Sequence, residues 1–208
     1  MNLSVQESYD LIAQYFAVTR VFTWKWTDNF VDKLDYNSII LDIGSGNGRN
    51  TNYKNYVIFG LDISEQQLKM NKYENNLSLH ANMTNIPFKN STFDMILSIA
   101  SFHHLKSHEE RHFCLKEMKR VIKYGGKILL SVWSMNQPKK TKRIFNNFGD
   151  NIVEWNTNKK DNNGNFIIIP RYYYIFNLNE IIKLLEEYFI LDKYYWDSGN
   201  EIFELINK

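Results

Sequence analysis

A glycine-rich turn between two short apolar runs constrains this chain more than any other feature. The run Ile39–Ile43 leads into the turn, Gly44-Ser45-Gly46-Asn47-Gly48. A second apolar run, Tyr56–Leu61, ends at Asp62, twenty residues after Asp42. The glycines let a ligand approach the backbone because no Cβ stands in the way, and the second acid is placed to accept two hydrogen bonds from ribose hydroxyls. The sequence therefore predicts a nucleotide-type cofactor site at the edge of a parallel sheet.

The spacing of the turn favours S-adenosyl-L-methionine over NAD as the cofactor. A dinucleotide fingerprint is G-x-G-x-x-G, and its helix N-terminus receives a pyrophosphate. Here the glycines are Gly44, Gly46 and Gly48, and Asp42 precedes them. That acid would repel a pyrophosphate but suits the ammonium group of a methionine moiety. A dinucleotide-binding fold remains the alternative.

The composition is that of a soluble globular domain. The 208 residues are enough for one domain with a core, and 44% are hydrophobic. The one cysteine, Cys114, excludes an intrachain disulfide, and without a signal sequence we expect a reducing compartment, cytoplasmic or also nuclear. No apolar run approaches the roughly 20 residues of a membrane span, so no membrane partner is expected. A net charge of +2 neither requires nor excludes nucleic acid.

Apolar periodicity predicts an alternation of strands and helices. The predicted helices cover 5–17 and 26–34, a short stretch after Ser64, Ser107 to about Lys123 (ended by Gly125-Gly126), and Asn177 through Tyr188. The predicted strands are 39–43, 56–61, 77–80, 93–99, 127–133, 190–196 and 201–206. Alternation indicates a parallel sheet with helices on both faces, and the short turn between the last two strands makes them antiparallel. The prediction is thus the class I methyltransferase (Rossmann-like) plan, an α/β fold with seven strands, mostly parallel, and one antiparallel strand near the C-terminus.

We expect one methyltransferase domain over 1–208. Within it, 1–36 would form an N-terminal helical lid, 37–134 the cofactor-binding core, 135–176 a substrate-binding insertion and 177–208 the last helix and two strands. Residues 135–170 are rich in Asn and Lys and show little periodicity. Long loops of this kind are usually functional or disordered.

Several stretches resemble one family closely. They are 12–20 with the following Trp24, the turn 42–50, the dense run 85–133, and 171–174 with the helix after it. The chain is similar to the eukaryotic tRNA wobble-uridine methyltransferases, including the methyltransferase domain fused to a tRNA hydroxylase in animals. The resemblance implies methylation of the carboxylate of 5-carboxymethyluridine in tRNA anticodons. This chain has Ser45 where the family usually has Cys, and Asn82 where an acid usually receives the adenine amino group.

The turn, the strand ends and the resemblance together give the candidate cofactor-binding residues. These are Asp42, Gly44, Ser45, Gly46, Asn47, Asp62, Ile63, Asn82, Met83 and Ser98. Asn82 and Met83 would hold the adenine by side chain and backbone. An asparagine oxygen can accept the bond from the adenine amino group, but without the assistance of a charge.

Candidate catalytic residues follow from the position of the fourth strand and from the chemistry. His103 and His104 come just after that strand, where the crevice of an open α/β sheet lies, whereas His108 and His112 are expected to be solvated helix positions. A carboxylate acceptor is already ionised at neutral pH, so no general base and no metal is needed. A cation that orients the carboxylate is useful, and Arg20 and Arg171 are the candidates.

Aromatic and basic residues are the candidates for binding the RNA. Any of Trp24, Trp133, Trp155 and Tyr172 could stack on a flipped wobble base, although aromatic residues more often belong to a core. A basic stretch with Lys139, Lys140 and Arg143 is a candidate contact for phosphates of the anticodon stem-loop, with a solvated loop as the alternative.

The resemblance also implies a partner, a small zinc-binding activator subunit shared among methyltransferases. The edge strand Leu77–His80 would receive it by strand addition, with Ile86 and Phe88 as apolar contacts, and the zinc would belong to the partner. Two other functions stay open. One is another methyltransferase on this fold, acting on rRNA guanine-N7 or on a small molecule, and the other is a non-catalytic scaffold, against which the intact cofactor residues argue.

Overall fold

Helices and strands alternate along the chain in the computed structural model, which describes residues 3–51, 53–73, 77–141 and 144–208. The helices are α1 Val5–Thr19, α2 Lys25–Val31, α3 Glu65–Lys69, α4 His108–Val121 and α5 Leu178–Glu186, with short 3-10 helices at Arg49–Thr51 and Phe102–His104. The strands are β1 Ile39–Ile43, β2 Val57–Asp62, β3 Leu77–His80, β4 Phe93–Ile99, β5 Ile122–Trp133, β6 Gly149–Lys160, β7 Phe166–Ile175, β8 Phe189–Asp197 and β9 Asn200–Asn207. Among these described residues, no helix is both long and apolar enough to cross a membrane.

Seven strands form one sheet in the order β3-β2-β1-β4-β5-β9-β8. The strands β1 to β5 pair in parallel, and β9 runs antiparallel to both β5 and β8. The predicted fold class is therefore confirmed. The strand order changes direction between β1 and β4, and such a switch point opens a crevice beyond the carboxyl ends of the strands.

Both faces of the sheet are covered, because the central strands are apolar on both sides. On one face, α4 and α5 pack against the strands through buried residues such as Leu115, Met118 and Ile181. On the other face, α2 contributes Trp26, Phe30 and Val31. This arrangement confirms the prediction of helices on both faces.

Helix α4 ends earlier than the sequence predicts. It stops at Val121, and β5 begins at Ile122 rather than after the glycine pair. Ile122 pairs with Phe93, while the next register pair joins Lys127 to Met95. The four residues between them bulge out, with Gly125 at a φ of +72°. The two glycines therefore lie in a bulge within β5 and do not end the helix. Helix α4 ends where the chain begins to pair with β4.

The predicted loop over 135–170 is wrong in its second half. Residues 149–160 and 166–175 form an antiparallel hairpin, β6–β7. Alternate residues of β7, namely Ile169, Arg171, Tyr173 and Ile175, are buried. The alternation was hidden because an arginine occupies an inward position and three tyrosines in a row fill both faces. The hairpin packs on α1 and on the turn after β4, so it forms one wall of the crevice.

Candidate cofactor and acceptor site

A cavity of about 690 Å³ lies at the carboxyl ends of the central strands, between the sheet, α1 and β7. Predicted cofactor residues line one end of it: Gly44, Ser45, Gly46, Asn47, Asp62, Ile63, Asn82 and Met83. Predicted acceptor residues line the other: Arg20, Trp24, His104 and Trp133. The other candidates that the structure describes do not line the cavity.

The glycine turn is held against the end of β2. The N–H groups of Gly44 and Ser45 both donate to the Leu61 carbonyl, at 2.7 and 3.0 Å. Gly44 has a φ of +73°, and a Cβ there would lie 2.3 Å from the Cβ of Ser101. The turn thus needs glycine for its backbone conformation and for its close approach to the segment after β4.

Asp62 has the geometry expected of a ribose ligand. One carboxylate oxygen accepts the Gly46 N–H at 2.8 Å, and the other accepts the Ser64 N–H at 2.8 Å. Each oxygen keeps a lone pair for a further donor. The carboxylate is therefore fixed in place while it remains able to accept two ribose hydroxyls, as the sequence predicts.

Asp42 is fully buried beneath the turn rather than on the cavity surface. Its two carboxylate oxygens have no hydrogen-bond partner in the described part of the chain; Asn50 is close enough to lower the pKa but makes no bond of ordinary geometry. Burial raises the pKa of Asp42 to about 7, against the opposing effect of the nearby Arg49 guanidinium. Because this carboxylate lies beneath the turn and not in the cavity, it would act on S-adenosyl-L-methionine through its charge, attracting the ammonium group across the glycine turn.

Three other cofactor candidates have protein partners. The Asn47 amide donates to the carbonyls of Arg20 and Ala17, at 3.0 and 3.4 Å, and so fastens the end of α1. The Asn82 oxygen already accepts two bonds from Thr84, each 3.0 Å long, so an adenine amino group would have to displace one of them. Ser98 is buried, bonds to Ser101 at 3.0 Å and does not line the cavity.

The structure separates the two predicted catalytic histidines. His103 is fully buried, and its Nδ1 accepts the Trp133 N–H at 2.9 Å, which positions the end of β5. His104 lines the cavity, with Nε2 at 2.8 Å from the Tyr9 hydroxyl and Nδ1 at 2.8 Å from the Tyr172 carbonyl. Burial among these groups lowers the pKa of His104 to about 4. The two outer histidines, His108 and His112, bond to each other at 3.0 Å on the surface of α4.

The two arginines also differ in their surroundings. Arg20 lines the cavity with its guanidinium 4.8 Å from the Phe16 ring centre. Burial and the positive charge of Arg171 both lower the pKa of Arg20. Arg171 is 4% exposed and lies one layer deeper, where it donates to the Tyr173 hydroxyl at 2.6 Å. Arg171 therefore acts on the cavity indirectly, through its hydrogen bond to Tyr173, which lines it.

Most RNA-binding candidates lie away from the cavity. Trp155 packs under the guanidinium of Arg171, 4.9 Å from its ring centre. The Tyr172 hydroxyl bonds to Asp150 on β6 at 2.5 Å. Lys139 and Lys140 are exposed on the turn after β5, and Arg143 lies outside the described residues.

Sequence reasoning missed two tyrosines that line the acceptor end, Tyr9 and Tyr173. Tyr173 stacks on Trp133 with ring centres 4.1 Å apart and planes inclined by 9°. Its position two residues after Arg171 on one strand was a usable signal, because such residues share a face. Tyr9 gave none, since only the packing of α1 on the hairpin brings it to the site.

We expect cofactor affinity to fall as the pH is lowered through 7. Protonation of Asp42 removes the charge that attracts the cofactor ammonium, which itself stays protonated below about pH 8. When the pH is lowered from about 7.5 to about 5.5, the Kd for S-adenosyl-L-methionine should rise by up to about 25-fold, measured by titration calorimetry. In Asp42→Asn we expect weaker binding of the cofactor and a shallower pH dependence. The pH dependence that remains would come from Asp62, because burial also raises the pKa of that carboxyl. A wild-type pH dependence that survives unchanged in Asp42→Asn would contradict this role.

Comparison with known proteins agrees with the site. Residues 41–130 match the family model described as a methyltransferase domain. A tRNA (carboxymethyluridine(34)-5-O)-methyltransferase of Schizosaccharomyces pombe is 30% identical over 203 residues, covering 89% of this chain and 87% of that protein. One of the same name from Arabidopsis thaliana is 35% identical over 134 residues, 64% of this chain. The chain matches only 33% of the Arabidopsis protein, about a third of its length.

A solved structure supports the same fold. In a complex between the Haloferax volcanii Trm112 methyltransferase activator and a methyltransferase, the matching chain superimposes with a TM-score of 0.66 at 13% identity, covering 98% of this chain and 97% of that one. Identity this low shows the fold alone. The sequence relatives confirm the resemblance and the predicted cofactor. The chain therefore belongs to the tRNA (carboxymethyluridine) methyltransferase family of class I S-adenosyl-L-methionine-dependent methyltransferases.

Proposed function

We propose that this protein transfers a methyl group from S-adenosyl-L-methionine to the carboxylate of 5-carboxymethyluridine at the wobble position of tRNA, giving the methyl ester. The observation that carries the proposal is the acceptor end of the cavity. It combines a guanidinium, Arg20, with the indole rings of Trp24 and Trp133, directly beside the cofactor end. Relatives named for this reaction support the same assignment.

A carboxylate suits this end of the cavity because the polar groups there favour donation. Arg20 offers a fork of N–H donors that fits a carboxylate. Two acids line the cavity among the described residues. Asp62 belongs to the cofactor end, and Glu110 already accepts the N–H groups of Lys106 and Ser107 at 2.7 and 3.0 Å. A neutral amide in place of the carboxylate would lose the charge attraction of Arg20 and would turn N–H donors toward a guanidinium that can only donate.

The uridine ring itself would be held by stacking. Trp133 is fixed from behind by Tyr173, and Trp24 lies nearly parallel to Trp26 with centres 5.9 Å apart. A base flipped out of the anticodon loop can stack on such a face, which is worth about 1–3 kcal/mol. Exposed lysines on the turn after β5 and on the hairpin, Lys139, Lys140, Lys159 and Lys160, would contact phosphates.

The residues of this chain act by positioning. When bound, S-adenosyl-L-methionine would supply an electrophilic methyl group: a carboxylate oxygen of the acceptor would bond to the methyl carbon in line as the carbon–sulfur bond breaks, and the sulfur would leave as a neutral thioether. Asp62 and the glycine turn fix the donor, and Arg20 orients the acceptor carboxylate toward it. Closure by α1 and the hairpin limits water, which strengthens these interactions. The acceptor already lacks its proton, so no residue has to remove one.

The experiment that tests the proposal is methyl transfer from labelled S-adenosyl-L-methionine to tRNA taken from cells that make carboxymethyluridine but lack this enzyme. The chain is co-expressed with the small zinc-binding activator of its host, and the nucleosides are identified by mass spectrometry. We expect the methyl ester at the wobble uridine, and none with Asp62→Ala because the ribose contact is lost. Asp192→Ala, an exposed acid on β8, should retain full activity.

Two results would contradict the proposal. One is the absence of ester although the complex binds the cofactor, which would favour a ribosomal guanine-N7 or small-molecule methyltransferase. The other is equal ester formation by Asp62→Ala, which would fit a scaffold rather than this enzyme. A wobble-tRNA substrate also leads us to propose a cytoplasmic, or also nuclear, location.

We further propose that an activator subunit binds the free edge of β3. Among the described strands, β3 pairs with β2 alone, and Leu77 on it is 47% exposed. The methyltransferase–activator complex of Haloferax volcanii supports a partner of this kind. Ile86 is not available to it, contrary to the sequence-based expectation, because it is 2% exposed in the core. Within the described ranges, no three His, Cys, Asp or Glu side chains are grouped to hold a metal.

Leu77→Asp should abolish co-purification with the activator, because it places a charge in an apolar contact. Ile190→Asp is the matched control, since Ile190 is 49% exposed on β8, the opposite edge strand. We expect it to retain the partner in a pull-down, and we expect the chain without its partner to aggregate. A monodisperse, fully active chain without any partner would overturn this proposal.

A further inference from the structure

A chain of hydrogen bonds crosses the acceptor end of the cavity from β7 to α1 and on to the turn after β4. The Arg171 guanidinium donates to the Tyr173 hydroxyl at 2.6 Å, and that hydroxyl lies 3.2 Å from the Tyr9 hydroxyl. The Tyr9 hydroxyl is 2.8 Å from Nε2 of His104, whose Nδ1 is 2.8 Å from the Tyr172 carbonyl. Three of these side chains, Tyr9, Tyr173 and His104, line the cavity.

These hydrogen bonds can run in only one direction when the ring of His104 is neutral. A carbonyl oxygen only accepts, so Nδ1 of His104 must donate to Tyr172. In a neutral ring Nε2 then accepts, and the Tyr9 hydroxyl is its donor. The Tyr9 oxygen in turn accepts from Tyr173, whose oxygen accepts from a guanidinium that can only donate. The donor and the acceptor of each of these hydrogen bonds are thereby fixed.

We propose that Tyr9 is a positioning residue for methyl transfer: by donating to Nε2 of His104, it holds that ring in its neutral Nδ1–H form beside the acceptor carboxylate. The proposal rests on the function proposed above. It assigns a role to a residue of α1 that no sequence signal marked.

A neutral ring matters because the reaction consumes charge. The acceptor carboxylate is negative and the sulfonium positive, and the two charges cancel as the methyl group moves. A cation beside the carboxylate therefore stabilises the ground state more than the transition state, and it slows the chemical step even where it strengthens binding. Arg20 already binds the acceptor. A second charge, on His104, would make the carboxylate a weaker nucleophile.

The surroundings of His104 agree with a neutral ring. The charged and titratable groups that face it are Tyr9 from α1, Arg171 and Tyr173 from β7, and His103 from its own turn. Arg20, Lys106 and Glu110 line the same cavity. Burial and the positive charge of Arg171 lower the pKa of His104. Glu110 is held by the N–H groups at the start of α4.

Tyr9→Phe tests the proposal because it removes the donor and keeps the ring. The titration of His104 is followed by NMR in the wild type and the variant, with its signal among the five histidines assigned from His104→Asn. We expect the pKa of His104 to rise in Tyr9→Phe. Because burial and Arg171 still act on the ring in this variant, the ordinary value near 6.5 is the upper limit of that rise. The kcat for ester formation at about pH 6 would then fall by at most about fourfold relative to pH 8.5, whereas protonation of His104 would not lower kcat of the wild type over this range. Adding His104→Asn to Tyr9→Phe should remove that pH step.

Tyr15→Phe is the matched control, because it makes the same substitution on the same helix. No hydrogen bond reaches the Tyr15 hydroxyl within the described residues, and Lys159 lies over its ring at 5.3 Å. We expect this variant to match the wild type in both measurements.

The outcomes separate the proposal from its alternatives. An unchanged His104 titration in Tyr9→Phe, with kcat lowered equally at every pH, would overturn it and leave Tyr9 as a fastening of α1. A wild type that forms no ester would instead overturn the proposed function, while the two titrations would still decide whether Tyr9 holds the ring neutral.

Discussion

The end of β2 holds the glycine turn, and the rest of the site is built on that connection. The Leu61 carbonyl accepts two N–H groups of the turn, and Asp62 accepts a third. The same carboxylate accepts the Ser64 N–H at the start of α3. One short stretch of backbone and one acid thus fix the turn, the ribose position and a helix start relative to one another. Loss of these hydrogen bonds would disorder the glycine turn and the ribose position without disturbing the sheet below them.

Helix α1 carries that order from the cofactor end to the acceptor end. Three consecutive residues near its start bond to three elements: Ser8 to the Pro170 carbonyl of β7 at 2.8 Å, Tyr9 to His104, and Asp10 to the Ser64 hydroxyl at 2.5 Å. Its C-terminal end is fastened to the turn by Asn47. Because one helix touches both ends of the cavity, methyl donor and acceptor share a single positioning element. The proposed methyl transfer depends on positioning, so we expect the placement of α1 to determine its rate.

Much of the fold could be predicted because its signals are local. Continuous apolar runs mark the buried strands, capping pairs such as Ser107 with Glu110 mark helix starts, and the turn with Asp62 marks the cofactor end. What failed depends on contacts distant in sequence. The β6–β7 hairpin was missed because Arg171 occupies an inward position, where it is stabilised by Tyr173 and by the faces of aromatic rings. His103 and His104 both follow β4, but which ring faces the cavity is decided by the Trp133 N–H of β5 and by Tyr9 of α1, which no spacing rule encodes.

Under the proposed function, the acceptor end of the cavity selects an ionised carboxylate beside the cofactor. The most direct measurement compares tRNA that carries 5-carboxymethyluridine with the same tRNA that carries the carbamoylmethyl analogue, using the activator complex and labelled S-adenosyl-L-methionine. We expect methyl transfer to the carboxylate only, with weaker binding of the amide, because its N–H groups would face the N–H donors of Arg20. Equal binding of the two tRNAs, or methyl transfer to both, would contradict it.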